Sequence, residues 1–218
     1  MYMVGISESH TCDEKSLHCT TKKKFTCSFN NSDITMASSV RHLILLGDSI
    51  LDNGSYVRGQ PAVIDQLKTK IKDQGWKATL LAVDGNVLSH IADQIKRVPD
   101  DATHLFISIG GNNALSYMHH LQQSVGSVGE ALLILHKIKA NFEKDYREML
   151  KQVTSLKRPV TTCTIYNPRF PGSHEQTMCE TGLSALNDVI VTESTKVYRI
   201  FEIYLIDLVI LYFSSAFQ

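Results

Sequence analysis

From Arg41 onward, short aliphatic runs alternate with stretches in which apolar residues recur every three or four positions. Continuous apolar runs separated by amphipathic segments mark a parallel sheet whose two faces are covered by helices. Five runs read as strands, at residues 42–46, 78–83, 104–109, 160–165 and 203–207. Between the first two, Val63, Leu67 and Ile71 repeat at helical spacing behind Pro61, which suits a first helical turn, and Gly75 supplies a stop. After the second, Leu88, Ile91, Ile95 and Val98 share one helical face until Pro99 ends the segment. A looser stretch follows the third strand. Ser127 and Glu130 then have capping-box spacing, ahead of a long stripe through Leu135, Ile138, Phe142, Tyr146, Met149 and Val153 that reads as core. A last helix, with Leu183, Leu186, Ile190 and Val197 inward, leads to the fifth strand. The chain has no internal repeat.

The 218 residues suit one medium domain with a core of its own, here residues 39–218. Residues 1–38 are rich in Ser, Thr, Lys and Asn with few aliphatics, and predict a polar, disordered extension. Met36, followed by Ala-Ser-Ser, offers an alternative start, which would make that extension a gene-model artefact. Lys+Arg 22 balances Asp+Glu 22, so no overall field favours nucleic acid or anionic lipid, and a small molecule is the expected partner. Residues 1–38 lack the apolar core of a secretory signal, from which a cytoplasmic location is expected. Residues 200–217 are apolar but contain Glu202 and Asp207, and read as buried protein rather than as a membrane span. Cys12, His18, Cys19 and Cys27 lack the paired short spacing of a structural zinc site, so no metal is expected.

Ligands of open α/β sheets bind beyond the carboxyl ends of the strands. There the first run enters Gly47-Asp48-Ser49, the second Asp84-Gly85-Asn86, and the third Gly110-Gly111-Asn112-Asn113. Any one of these is an ordinary turn. Together they place a hydroxyl, a glycine amide and a side-chain amide on one rim, parts that suit acyl transfer: a serine nucleophile and donors for an oxyanion. A flavodoxin-like phosphate or nucleotide site is the competing reading, but the first loop is short, brings Asp48 to the phosphate position and lacks both glycine-rich signatures.

Residues 41–208 resemble a single-domain SGNH (GDSL-type) hydrolase. Leu46-Gly47-Asp48-Ser49-Ile50-Leu51-Asp52-Asn53 is similar to the family's first block, Val83-Asp84-Gly85 to its second, and Ile107-Ser108-Ile109-Gly110-Gly111-Asn112-Asn113 to its third, G-x-N-D. The resemblance implies a three-layer α/β/α sandwich with a parallel, flavodoxin-like five-stranded sheet in the order 2-1-3-4-5. It also implies Ser49 as nucleophile, with Ser49 N–H, Gly85 N–H and the Asn112 amide as oxyanion donors, and no cofactor. Asn113 stands where the family has Asp, a departure expected to touch local support.

The family's base, in a D-x-x-H block past the fifth strand, has no match, for no histidine follows His174. Loss of the catalytic histidine costs a serine protease about a millionfold in kcat. The resemblance therefore implies a C-terminally incomplete, impaired hydrolase of small esters, as a truncated or mis-spliced form or a degenerate paralogue. Its alternative is a non-catalytic module that binds an acyl or carbohydrate ligand. His174, His119 and His120 fall in loops expected on the active rim, where they read as solvated residues. His90 reads as a surface or partly buried residue, and His42 and His104 belong to the opposite end of the sheet.

Overall fold

The computed structural model describes residues 40–197. The expected fifth strand, the extension at 1–38 and the apolar tail lie outside the described residues. Four parallel strands, β1 (Arg41–Gly47), β2 (Trp76–Leu80), β3 (His104–Ser108) and β4 (Val160–Thr162), form one sheet in the order β2-β1-β3-β4. This is the expected order over its first four members. Helices α1 (Val63–Ile71), α2 (Ile91–Ile95), α3 (Gly111–Ser116), α4 (Val128–Thr154) and α5 (Ser173–Val197) connect and cover the strands.

Because side chains alternate along a strand, β1 divides its apolar residues between two cores. Ile44 and Leu46 enter the larger one, with Ile91 of α2, Phe142, Tyr146 and Val153 of α4, and Leu186 and Ile190 of α5. Leu43 and Leu45 face the other way, onto Val63, Ile64 and Leu67 of α1. Burial on both faces explains why β1 reads as an unbroken aliphatic run. Val63 N–H, one of the unpaired amides that open α1, donates to Asn53 Oδ1 at 2.9 Å.

Several element ends differ from the sequence reading, each for a local reason. The second run is extended beyond Leu80, but Leu81 N–H and Ala82 N–H both donate to Leu45 O, at 2.8 and 2.9 Å, so the ladder slips there. After β4, the side chain of Asn187 on α5 captures the Ile165 backbone through both N–H and C=O, each at 2.8 Å, and draws it off the sheet. Helix α5 begins ten residues before Leu183 because its first turns border a cleft and solvent, and so lack a continuous apolar stripe. The loose stretch after β3 holds α3 and a 3-10 segment at Met118–Gln122. The capping pair forms in modified geometry: Ser127 Oγ accepts from Glu130 N–H at 3.1 Å, while Glu130 Oε2 reaches Gly126 N–H at 2.7 Å.

Polar bonds tie α4, α5 and β4 together behind the sheet. Thr162 Oγ1 donates to the fully buried Ser194 Oγ at 3.0 Å, and Tyr146 Oη lies 3.2 Å from the same hydroxyl. Beside them Glu193, a buried carboxylate, accepts from Arg147 Nε at 2.9 Å and from Lys196 Nζ at 2.6 Å. The Arg147 bond is the largest influence, and with Lys196 it outweighs burial, holding the carboxyl at about 2 against an ordinary 4.5. A depressed carboxylate stabilises the fold above its unfolded pKa and loses that contribution as pH falls through its folded one. Glu193→Gln is therefore expected to cost about 2 kcal/mol at pH 7, the scale of a charge-assisted hydrogen bond. Thermal melts should show the gap from the parent closing between pH 4.5 and about 2.

Candidate active site

The carboxyl end of β1 is set by one close approach. Gly47 has φ +144°, and a Cβ there would lie 1.9 Å from Ser108 O on β3, so only glycine fits. Its backbone is held from below by Gln94 of α2, which is buried. Gly47 N–H donates to Gln94 Oε1 at 2.8 Å, and Gln94 Nε2 donates to Gly47 O at 2.7 Å and to Asn86 Oδ1 at 2.9 Å. Asp48 N–H continues the link to Ser108 O at 3.2 Å, and Leu51 and Asp52 N–H both return to Asp48 O, closing a tight turn. Ser49 stands in that turn, partly exposed.

The second and third strand ends are joined to the first. Asp84 N–H donates to Asp52 Oδ2 at 3.0 Å, and Tyr56 Oη to Asp84 Oδ2 at 2.5 Å, fastening the Asp84-Gly85 loop to the chain just past Ser49. Gly85 takes φ +76° and is exposed. Asn112, in the first turn of α3, donates from Nδ2 to Asn86 O at 2.8 Å, and Asn113 Oδ1 accepts from Leu88 N–H at 3.1 Å.

Ser49 and Asn112 both open onto a cleft of about 200 Å³. Ser108 and Thr164 contribute polar edges, and the walls are largely apolar, with Leu115, Leu121, Leu135, Ile138, Met178 and Leu183 among them. Leu135, expected as core, is cleft wall instead, while Ile138 packs against the core and lines the cleft as well. Gly85 is not among the lining residues. The structure separates the rim histidines: His120 lines the cleft, whereas His174 is exposed on the first turn of α5 and does not. His120 Nδ1 lies 3.1 Å from Gln123 Oε1, and His119 Nδ1 lies 2.9 Å from Ser116 O. At the opposite end of the sheet, His42 is buried between Asp101 and Thr79, each 2.8 Å away. Among the described residues, no histidine or carboxylate side chain hydrogen-bonds to Ser49, and no group of three or more metal-ligating side chains converges.

Asp48 is the charged group nearest the candidate nucleophile in sequence, and it is buried. Burial pushes its carboxyl up from 3.8 to about 6, against the pull of backbone donors at Ile50 and Gly110, with Asp84 adding repulsion. Gln94 is the site residue that motif reading passed over, and Asn86 was read only as part of the second strand-end turn. Gln94 falls on the apolar face of the Leu88–Val98 stripe, where a lone amide signals a buried, fully bonded side chain, and that was the available signal.

Two stability measurements test this arrangement. A raised carboxyl favours the fold below its unfolded pKa and costs stability as pH rises through its folded one. Asp48→Asn is expected to melt increasingly above the parent between pH 4 and 7, approaching a gap of about 3 kcal/mol for a shift of this size. Gln94→Leu, which takes the Gln94 partner from the buried Gly47 N–H and leaves Gly47 O with the Val83 N–H at 3.2 Å, is expected to cost about 1–3 kcal/mol in urea unfolding.

No protein-family model matches the chain, and no curated protein is similar to it in sequence. Solved structures are similar to it in fold. An extracellular lipase from Streptomyces rimosus superposes with a TM-score of 0.50 at 18% identity, over 72% of this chain and 76% of that one. A member of the lipolytic G-D-S-L family from Veillonella parvula gives 0.51 at 16% identity, over 77% of each chain. With the strand order and the three converging strand ends, this likeness shows that the domain has the α/β fold of the SGNH (GDSL-type) lipases and esterases.

Proposed function

We propose that this chain is a serine hydrolase that cleaves ester or acyl bonds through an acyl-serine intermediate on Ser49. The observation that carries the reading is that Ser49 and Asn112, from two different strand ends, open onto one apolar cleft. Ser49 Oγ would attack the carbonyl carbon and give up its proton to solvent water, which would return a proton to the departing alcohol oxygen, and the carbonyl oxygen would take the negative charge of the tetrahedral intermediate. The proposed donors to that oxygen are Ser49 N–H, Gly85 N–H and the Asn112 amide. A side-chain amide has two N–H groups, and Asn112 gives one to Asn86 O, which holds its plane and leaves the other for the oxyanion. Expulsion of the alcohol leaves an ester on Ser49, and water then releases the acid. The largely apolar walls favour an acyl chain over a charged substrate.

A second reading is a binding module that holds an acyl or carbohydrate ligand without turning it over. It is favoured by the absence, among the described residues, of a histidine or carboxylate bonded to Ser49, since serine needs a base in reach to be nucleophilic near neutral pH. The two separate with the full chain and p-nitrophenyl acetate. The hydrolase reading expects turnover that Ser49→Ala abolishes and Asn112→Ala lowers by about 10²–10³ in kcat. A parent indistinguishable from Ser49→Ala in turnover, with its melting temperature still raised by an ester ligand, establishes the binding module instead.

A further inference from the structure

Part of the cleft's space comes from a residue that has no side chain. Gly182 lies in the interior of α5 and lines the cleft. Glycine is the least favourable residue in a helix interior after proline, so its presence there asks for a reason. Two structural reasons are common, a left-handed backbone and the close approach of a neighbour. Neither applies to Gly182: it is not among the glycines with positive φ, and a Cβ built on it meets nothing within 4 Å. The space that Cβ would enter belongs to the cleft. Met178 and Leu186 stand four residues before and after Gly182 on the same stripe of α5, Leu183 stands beside it, and all three line the cleft. Met178 is 43% exposed, whereas Leu183 and Leu186 are exposed at 7 and 4%, so the stripe descends from mouth to floor with Gly182 between.

Helix α4 supplies the facing wall. Lys139 pairs with Asp188, Tyr146 with Ser194 and Arg147 with Glu193, at sequence separations of 49, 48 and 46, so the two helices run parallel in nearly constant register. Carried back toward their amino ends, that register puts Leu135 level with Gly182, and Leu135 also lines the cleft. Between the two helices, therefore, a position that a side chain would fill is left open. A gap of that origin is narrow, and its walls, Leu135, Ile138, Met178 and Leu183, carry no hydrogen-bonding group. A sugar would leave its hydroxyls without partners against these walls, whereas an unbranched aliphatic chain loses nothing there and gains from leaving water.

We propose that Gly182 is a specificity-determining residue: its missing side chain opens a slot between α4 and α5 that receives the unbranched aliphatic chain of a substrate whose carbonyl lies at Ser49. The proposal rests on the reading of this cleft as an acyl site, so its test measures binding apart from turnover. Full-length Gly182→Leu and Gly182→Ala are compared with the parent and with Ser184→Leu, which adds the same side chain at an exposed position of α5 outside the cleft. Calorimetric titration with sodium octanoate measures binding, and the ratio of kcat/KM for p-nitrophenyl octanoate over p-nitrophenyl acetate measures selection. Gly182→Ala is expected to raise the melting temperature, since alanine favours the helix and its Cβ meets open space. Gly182→Leu is expected to weaken octanoate binding and to lower the ratio, each by at least about tenfold, the scale on which methylene groups are discriminated in an apolar pocket. Gly182→Ala should fall between it and the parent, and Ser184→Leu should match the parent. Octanoate binding by Gly182→Leu at the parent's affinity overturns the proposal, as does a parent that does not bind octanoate. A Gly182→Ala variant that melts below the parent assigns the glycine to packing and overturns it too, as does a Gly182→Leu variant in which acetate and octanoate turnover fall in equal measure. Octanoate binding that Gly182→Leu loses, in a parent with no turnover of either ester, upholds the slot and sinks the hydrolase reading alone.

Discussion

The carbonyl of Ser108 sits where a side chain on Gly47 would have to be, and the arrangement of the site follows from that contact. Because β1 and β3 close to this distance at their carboxyl ends, the chain after each strand leaves toward the same rim, and the Asp48 amide completes the contact by donating to the same carbonyl. The strained-looking backbone at φ +144° costs glycine little, and it is secured by the two bonds from Gln94. One buried amide thereby connects three pieces: the end of β1, the helix that follows β2, and Asn86, whose carbonyl in turn orients Asn112. The residue proposed as nucleophile and the residue proposed to receive its oxyanion are therefore positioned through a shared set of hydrogen bonds rather than by two independent loops.

That arrangement has an electrostatic cost. Asp48 is buried beneath the turn that presents Ser49, and its backbone donors only partly offset the loss of water. Near neutral pH much of it is ionised, placing negative charge beneath a group from which the proposed reaction would remove a proton. The repulsion from Asp84 adds to this, although Asp84 is exposed and receives a bond from Tyr56. The site keeps its geometry at the expense of stability, a common relation where polar groups are buried to orient others.

The first four strands were legible because the information they need is local, whereas their order came from the family resemblance. β1 alternates between two apolar cores, so its run is unambiguous, and Gly47, Gly85 and Gly110 all take positive φ at the strand ends where turns were expected. The position of Ser49 in a turn followed from the same run. What was not legible depended on partners distant in sequence. Nothing near Ile165 announces that Asn187 will take its backbone from the sheet, and nothing near Gly47 announces Gln94. The early start of α5 was hidden because its first turns border a cavity, so Met178, Cys179 and Gly182 carry no periodic apolar signal. His174 and His120 were both expected at the rim by their places after β4 and β3; His120, on the 3-10 turn after α3, lines the cleft, and His174 does not.

Helix α4 shows how one apolar stripe serves three environments. At Phe142, Tyr146, Met149 and Val153 it is sealed against the sheet, where removal from water stabilises the domain. One to two turns toward the amino end, Ile138 both packs against that core and lines the cleft, and Leu135 faces the cleft. Further still, Val128, Leu132 and Leu133 are largely exposed. Along one helix the same residue class passes from structural to ligand-facing to exposed, and the sequence pattern is the same in all three. Hydrophobic periodicity reports which face of a helix avoids water, but the length of the sheet beneath it decides whether that face is buried by the protein or left for something else.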